Sequence, residues 1–106
     1  MIAAEDIHIV FCTVPDMDTG RRIASHLVEY GLAACVNLLP DIESVYQWKG
    51  ETLKDSEVLL MIKSRAADYS GLEAAISKLH PYELPEIIAV PLSNGSPEYL
   101  DWIRKA

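Results

Sequence analysis

Basic side chains are scarce in this chain: 9 Lys and Arg stand against 16 Asp and Glu among 106 residues. The formal net charge is −7 and the pI about 4.8, a balance that repels nucleic acid and favours cations or basic partners. Long apolar runs are missing too. No stretch reaches the roughly 18 apolar residues that a membrane span needs. Met1 to Asp6 carries acids where an export signal would carry basic residues, so the expected setting is the cytoplasm. Cysteine is limited to Cys12 and Cys35, both inside apolar runs. In a cytoplasmic protein such thiols stay reduced and act as small core hydrophobes, with metal or redox work as the alternative. Catalytic signatures are lacking as well: there is no Gly-rich phosphate loop, G-x-S-x-G elbow, H-E-x-x-H or C-x-x-C. With no nucleophile beside an evident base, the chain reads as a non-enzyme without an organic cofactor.

What is present is apolar material for one core. Half of the residues are hydrophobic, enough for a single domain over residues 1–106. Ile7 to Val14 is β-branched and mostly apolar, the mark of a central strand. Pro15-Asp16 breaks it, and Asp16 or Asp18 caps a helix running to about Tyr30, with Ile23, Leu27 and Tyr30 on its apolar stripe and Gly31 as its stop. Ala33 to Trp48 reads as one long strand interrupted at Pro40-Asp41. Lys49-Gly50-Glu51 turns the chain, and Glu57 to Ser64 returns as the hairpin partner. A second helix, capped by Ser64 or Asp68, buries Tyr69, Leu72, Ile76 and Leu79. Glu86 to Leu92 is the fourth strand, and Pro91 within it argues for a sheet edge or a bulge. A short helix from Pro97 to Lys105, capped by Ser96, ends the chain.

The order β-α-β-β-α-β plus a helix is the ferredoxin-like, α+β arrangement. Right-handed crossovers then give the sheet order 4-1-3-2. Cys12 and Cys35 fall on strands separated by a third, about 9.6 Å apart, whereas a disulfide needs Cα atoms within about 7 Å. The long hairpin has a further consequence. A globule of this length spans roughly 33 Å, but a strand from Ala33 to Trp48 reaches about 50 Å. The tip must overhang, carrying Ile42, Val45, Tyr46 and Trp48, and the second strand is also a bare edge. The chain is therefore expected to assemble with copies of itself.

The densest chemistry lies in Leu79-His80-Pro81-Tyr82-Glu83-Leu84-Pro85-Glu86. Prolines fix φ and keep His80 and Leu84 extended, which suits either a preorganised site or a rigid connector. His80 precedes the strand that neighbours the strand of Cys12, and thiolate with imidazole suits copper and zinc, Glu83 adding an oxygen. Lys63 interrupts a buried strand and calls for a partner, a glutamate across an interface before a ligand.

Five motifs in order resemble the CutA divalent-cation tolerance family. They are Ala34-Cys35-Val36-Asn37, Tyr46-x-Trp48-x-Gly50, Glu57-Val58-x-Leu60-x-Ile62-Lys63, His80-Pro81-Tyr82-Glu83-x-Pro85-Glu86 and Tyr99-Leu100-x-Trp102. The resemblance spans nearly the whole chain. It implies a ferredoxin-like fold, a homotrimer similar to that of the PII signalling proteins, and a cytoplasmic role in tolerance to copper and other divalent ions. It further implies Cys12 and His80 as copper ligands. Leu79 stands where some members have a second histidine, which leaves Glu83 or water as a third donor. A PII-like module that binds a ligand or partner in clefts between subunits is the alternative, with Tyr46, Trp48, Lys63, Tyr82 and Glu86 as cleft residues.

Overall fold

The computed structural model describes residues 4–106; Met1 to Ala3, the start of the segment read for an export signal, lie outside the described residues. Strand β1 (Ile7–Val14) is followed by helix α1 (Met17–Glu29), the long strands β2 (Cys35–Trp48) and β3 (Glu51–Arg65), helix α2 (Tyr69–Leu79), strand β4 (Ile88–Pro91) and helix α3 (Pro97–Lys105). The four strands form one sheet in the order β2-β3-β1-β4, with every neighbouring pair antiparallel. This is the order expected from the crossover rule.

Alternation along the strands separates two faces. Val10, Cys12 and Val14 of β1 and Leu60 and Ile62 of β3 point to one side, where Ile23 and Leu27 of α1 and Leu72 and Ile76 of α2 close over them. That face holds the core. On the other side α3 covers one end only, packing Leu100 and Ile103 on Ala4 and Ile7. Beyond it Ile88 and Val90 of the edge strand β4 remain 55% and 46% exposed.

The hairpin overhangs as its length requires: the molecule measures 44 × 27 × 23 Å. Its turn places both Lys49 and Gly50 at positive φ, 51° and 84°, the pairing that matches the twist of a two-residue hairpin. Strand β3 starts at Glu51 rather than Glu57, because Glu51 to Ser56 is held by pairing with β2 and not by burial. At Pro40-Asp41 the β2–β3 register slips. Leu39 faces Leu59 and Ile42 faces Glu57, so two residues of β2 oppose one of β3, and Asp41 has φ of 62°. This is a β-bulge.

Several local expectations need correction. Tyr30 is the 70% exposed C-cap of α1 and not part of its buried stripe. Asp16, not Asp18, caps α1, accepting the Thr19 N–H at 2.7 Å. Neither Ser64 nor Asp68 caps α2 with its side chain: Ser64 is buried in β3, a 3-10 turn over Ala66–Asp68 intervenes, and the Asp68 carboxylate takes Arg65 at 2.8 Å. Ser96 makes no side-chain cap to α3, and β4 spans four residues rather than seven. Pro91 ends that edge strand, where its missing N–H costs no ladder bond.

Candidate functional site

The segment from His80 to Glu86 is tied to the sheet by its first residue. His80 is extended (φ −78°, ψ 133°), as a residue before proline should be. Its imidazole is 8% exposed. Nε2 lies 2.7 Å from the Thr13 carbonyl oxygen, and Nδ1 accepts the Tyr82 N–H at 3.1 Å. A carbonyl only accepts, so Nε2 carries the proton and the ring is the neutral tautomer. Both nitrogens are therefore spoken for.

The bracket aims Tyr82 at β3. Its hydroxyl donates to Glu57 Oε2 at 2.6 Å, and Glu57 is only 7% exposed. Burial first, then this carboxylate, raise the phenol pKa well above its ordinary value. A second pair of the same chemistry lies outward along the hairpin, where the Tyr46 hydroxyl donates to the Asp55 carboxylate. That bond likewise raises the Tyr46 pKa.

Between hairpin and segment opens a cleft of about 780 Å³. Tyr46, Trp48, Tyr82, Glu83 and Glu86, all named from sequence, gather around it. Asp55 and Glu57 also line it and were missed. Both alternate onto the face that Tyr46 and Trp48 share after the bulge, a signal that needs the register and is invisible without it. Lys63 lies elsewhere. Its Nζ donates to Asn37 Oδ1 at 2.6 Å and rests 5.8 Å from the Tyr99 ring centroid, so within the chain its partners are an amide and a ring.

The structure does not assemble Cys12, His80 and Glu83 into a ligand set. Cys12 is fully buried on the helix-covered face, and burial, with Glu86 and Glu57 adding, pushes its thiol up to about 12. A thiol so hard to ionise is a poor ligand, since metals take the thiolate. Among the described residues no three His, Cys, Asp or Glu side chains come close enough together to hold an ion. As folded, the Cys12–His80 pair does not fit copper.

The profile of the CutA1 divalent ion tolerance protein family matches residues 8–106. The chain belongs to that family. It is 45% identical to a divalent-cation tolerance protein CutA of Thermus thermophilus, over 92% of this chain and 94% of that one. Against the chloroplastic protein CutA of Arabidopsis thaliana it is 43% identical over 92% of its length, and it spans 54% of that longer protein. A solved structure of the Thermus thermophilus divalent cation tolerance protein superposes with a TM-score of 0.92, at 44% identity, covering 93% of this chain and 96% of that chain. The mixed α+β fold with its four-stranded antiparallel sheet is thus that of CutA1 structures.

Proposed function

We propose that the chain is a divalent-cation tolerance protein that works as a homotrimer, built like the PII signalling proteins, with its working site in the cleft at the hairpin. One observation carries this reading: the sheet face that α3 leaves open. Ile88 and Val90 stand exposed on a four-residue edge strand, while Tyr46 and Trp48, on the same face of the hairpin, are 39% and 36% exposed. Apolar surface of this kind is normally hidden by a partner. The free edges of β2 and β4 offer backbone groups for pairing. Edges that differ favour a head-to-tail contact, and such contacts close into rings.

Cys12 and His80 are engaged elsewhere, so the proposed ion contacts are carboxyl oxygens at the cleft, Glu83 first. Cu(II) heads the affinity order for such donors. A bound ion would retain part of its water shell. The cytoplasmic setting is part of the proposal, in keeping with two free thiols. The reading is of a binding protein and not an enzyme. Aromatic walls around the cleft support the second reading, a PII-like module that takes a small ligand.

Sedimentation at micromolar concentration should give the mass of a trimer; a monomer overturns the assembly. Cu(II) titrated into wild type, Cys12→Ala, His80→Ala and Glu83→Gln should weaken only in the last. Loss of binding in both of the first two variants would restore the ligand set read from sequence.

A further inference from the structure

Tyr46, Trp48 and Tyr82 give the cleft aromatic walls. Asp55, Glu57, Glu83 and Glu86 set carboxyl groups among them, and among the described residues neither lysine nor arginine lines the space. Two observations go beyond surface acidity. Glu57 is more than nine-tenths buried, yet its recorded hydrogen bond, from Tyr82, uses only Oε2. Oε1 takes no hydrogen bond among the described residues and is not one of the buried unpaired atoms, so it opens to solvent at the cleft. A mostly buried carboxyl group with one oxygen open to the cleft is placed to take a donor or a counter-charge from a ligand. Secondly, the Trp48 ring already takes an ammonium: Lys49, outside the cleft lining, holds its Nζ 5.7 Å from the ring centroid, within cation–π range.

A lone metal ion does not use these features. Hard divalent ions take six or more oxygens at about 2.0–2.6 Å, and no three candidate ligands converge among the described residues. A cleft of about 780 Å³ is of the size that holds a small organic molecule. Aromatic faces attract ammonium groups and cover methylene chains. Carboxyl groups spread around the cleft match several charges held apart on one ligand. Glu57 Oε1 can accept an N–H donor, which a quaternary ammonium lacks.

We propose that this cleft binds an aliphatic polyamine. Its ammonium groups meet Glu57, Glu83 and the Trp48 face, and its methylene segments lie on the tyrosine rings. The proposal rests on the cleft being a ligand site, and differs from ion binding in its dependence on the aromatic wall.

Spermidine, titrated calorimetrically into the full chain at physiological salt, should saturate. Trp48→Leu should weaken it about 5- to 30-fold, and Glu83→Gln should weaken it measurably. Glu29→Gln, an equal loss of charge on the exposed end of α1, should leave it unchanged. Cu(II) titrated into Trp48→Leu should bind as to wild type, which separates this proposal from the ion reading. No saturable spermidine binding overturns the polyamine, whatever Cu(II) does. Equal losses in Glu29→Gln and Glu83→Gln reveal diffuse attraction and overturn it as well, as does choline binding as tightly as spermidine. Should Trp48→Leu alter sedimentation, Glu83→Gln against Glu29→Gln decides alone.

Discussion

The two faces of the sheet are made by the same strands, often by adjacent residues, yet they end in different physical states. On the helix-covered side Val10, Cys12, Val14, Leu60 and Ile62 lose essentially all contact with water. On the opposite side their immediate neighbours Ile9, Phe11, Leu59 and Met61 are only partly covered, and β4 offers Ile88 and Val90 to solvent. The difference lies in what each face is given to meet. Two amphipathic helices complete the first, whereas one short helix, packed at one end on Ala4 and Ile7 with Tyr99 beside Lys63, leaves much of the second open.

The largest test of that contrast is alkaline. The Cys12 thiol has its pKa raised from 9.0 to about 12 in the folded chain. A raised folded value means that its contribution is complete below about pH 9 and is lost as pH climbs toward 12. Three units correspond to about 4 kcal/mol. Urea midpoints of Cys12→Ala should therefore fall less steeply than wild type across pH 9–12; parallel curves would mean that the thiol sees water. Next in size, Leu60→Ala on the closed face should cost about 3 kcal/mol in chemical denaturation. Leu59→Ala, one residue away on the open face, should instead make the midpoint depend on protein concentration. If both behave alike, the two faces do not differ as described.

The cleft repeats the contrast on a smaller scale. Tyr82→Phe strips buried Glu57 of its hydroxyl donor and should destabilise by about 1–3 kcal/mol. Tyr46→Phe breaks the same kind of bond where Asp55 is exposed to water and should lie within about 0.5 kcal/mol of wild type. Equal costs would show that solvent does not separate the pairs.

The outline of the molecule was legible because it follows from element order and strand length. βαββαβ allows few right-handed sheets, and a strand of fourteen residues cannot hide within so short a chain. What escaped depends on pairing and on local competition. Glu51 to Ser56 carries too little apolar pattern to announce a strand, although backbone bonds to β2 make it one. Asp68 had the right residue type for a cap but was taken by Arg65. For His80, composition suggested a metal ligand, whereas the Thr13 carbonyl and the Tyr82 amide turned it into a bracket. Asp55 and Glu57 could join the cleft only once the register was known. No periodicity in the sequence encodes that register, because the bulge interrupts it.

Before Pro40-Asp41 the odd-numbered residues of β2, such as Asn37 and Leu39, share the face of Leu59 and Met61; beyond it the even-numbered Tyr46 and Trp48 share the face of Glu57 and Asp55. One additional residue thus acts as a phase shifter. Deleting Asp41 would leave every later side chain intact but swap inside for outside, sending Val45 and Gln47 where the rings now stand. Single-residue length changes at this spot are frameshifts in space, more damaging to the cleft than most substitutions within it.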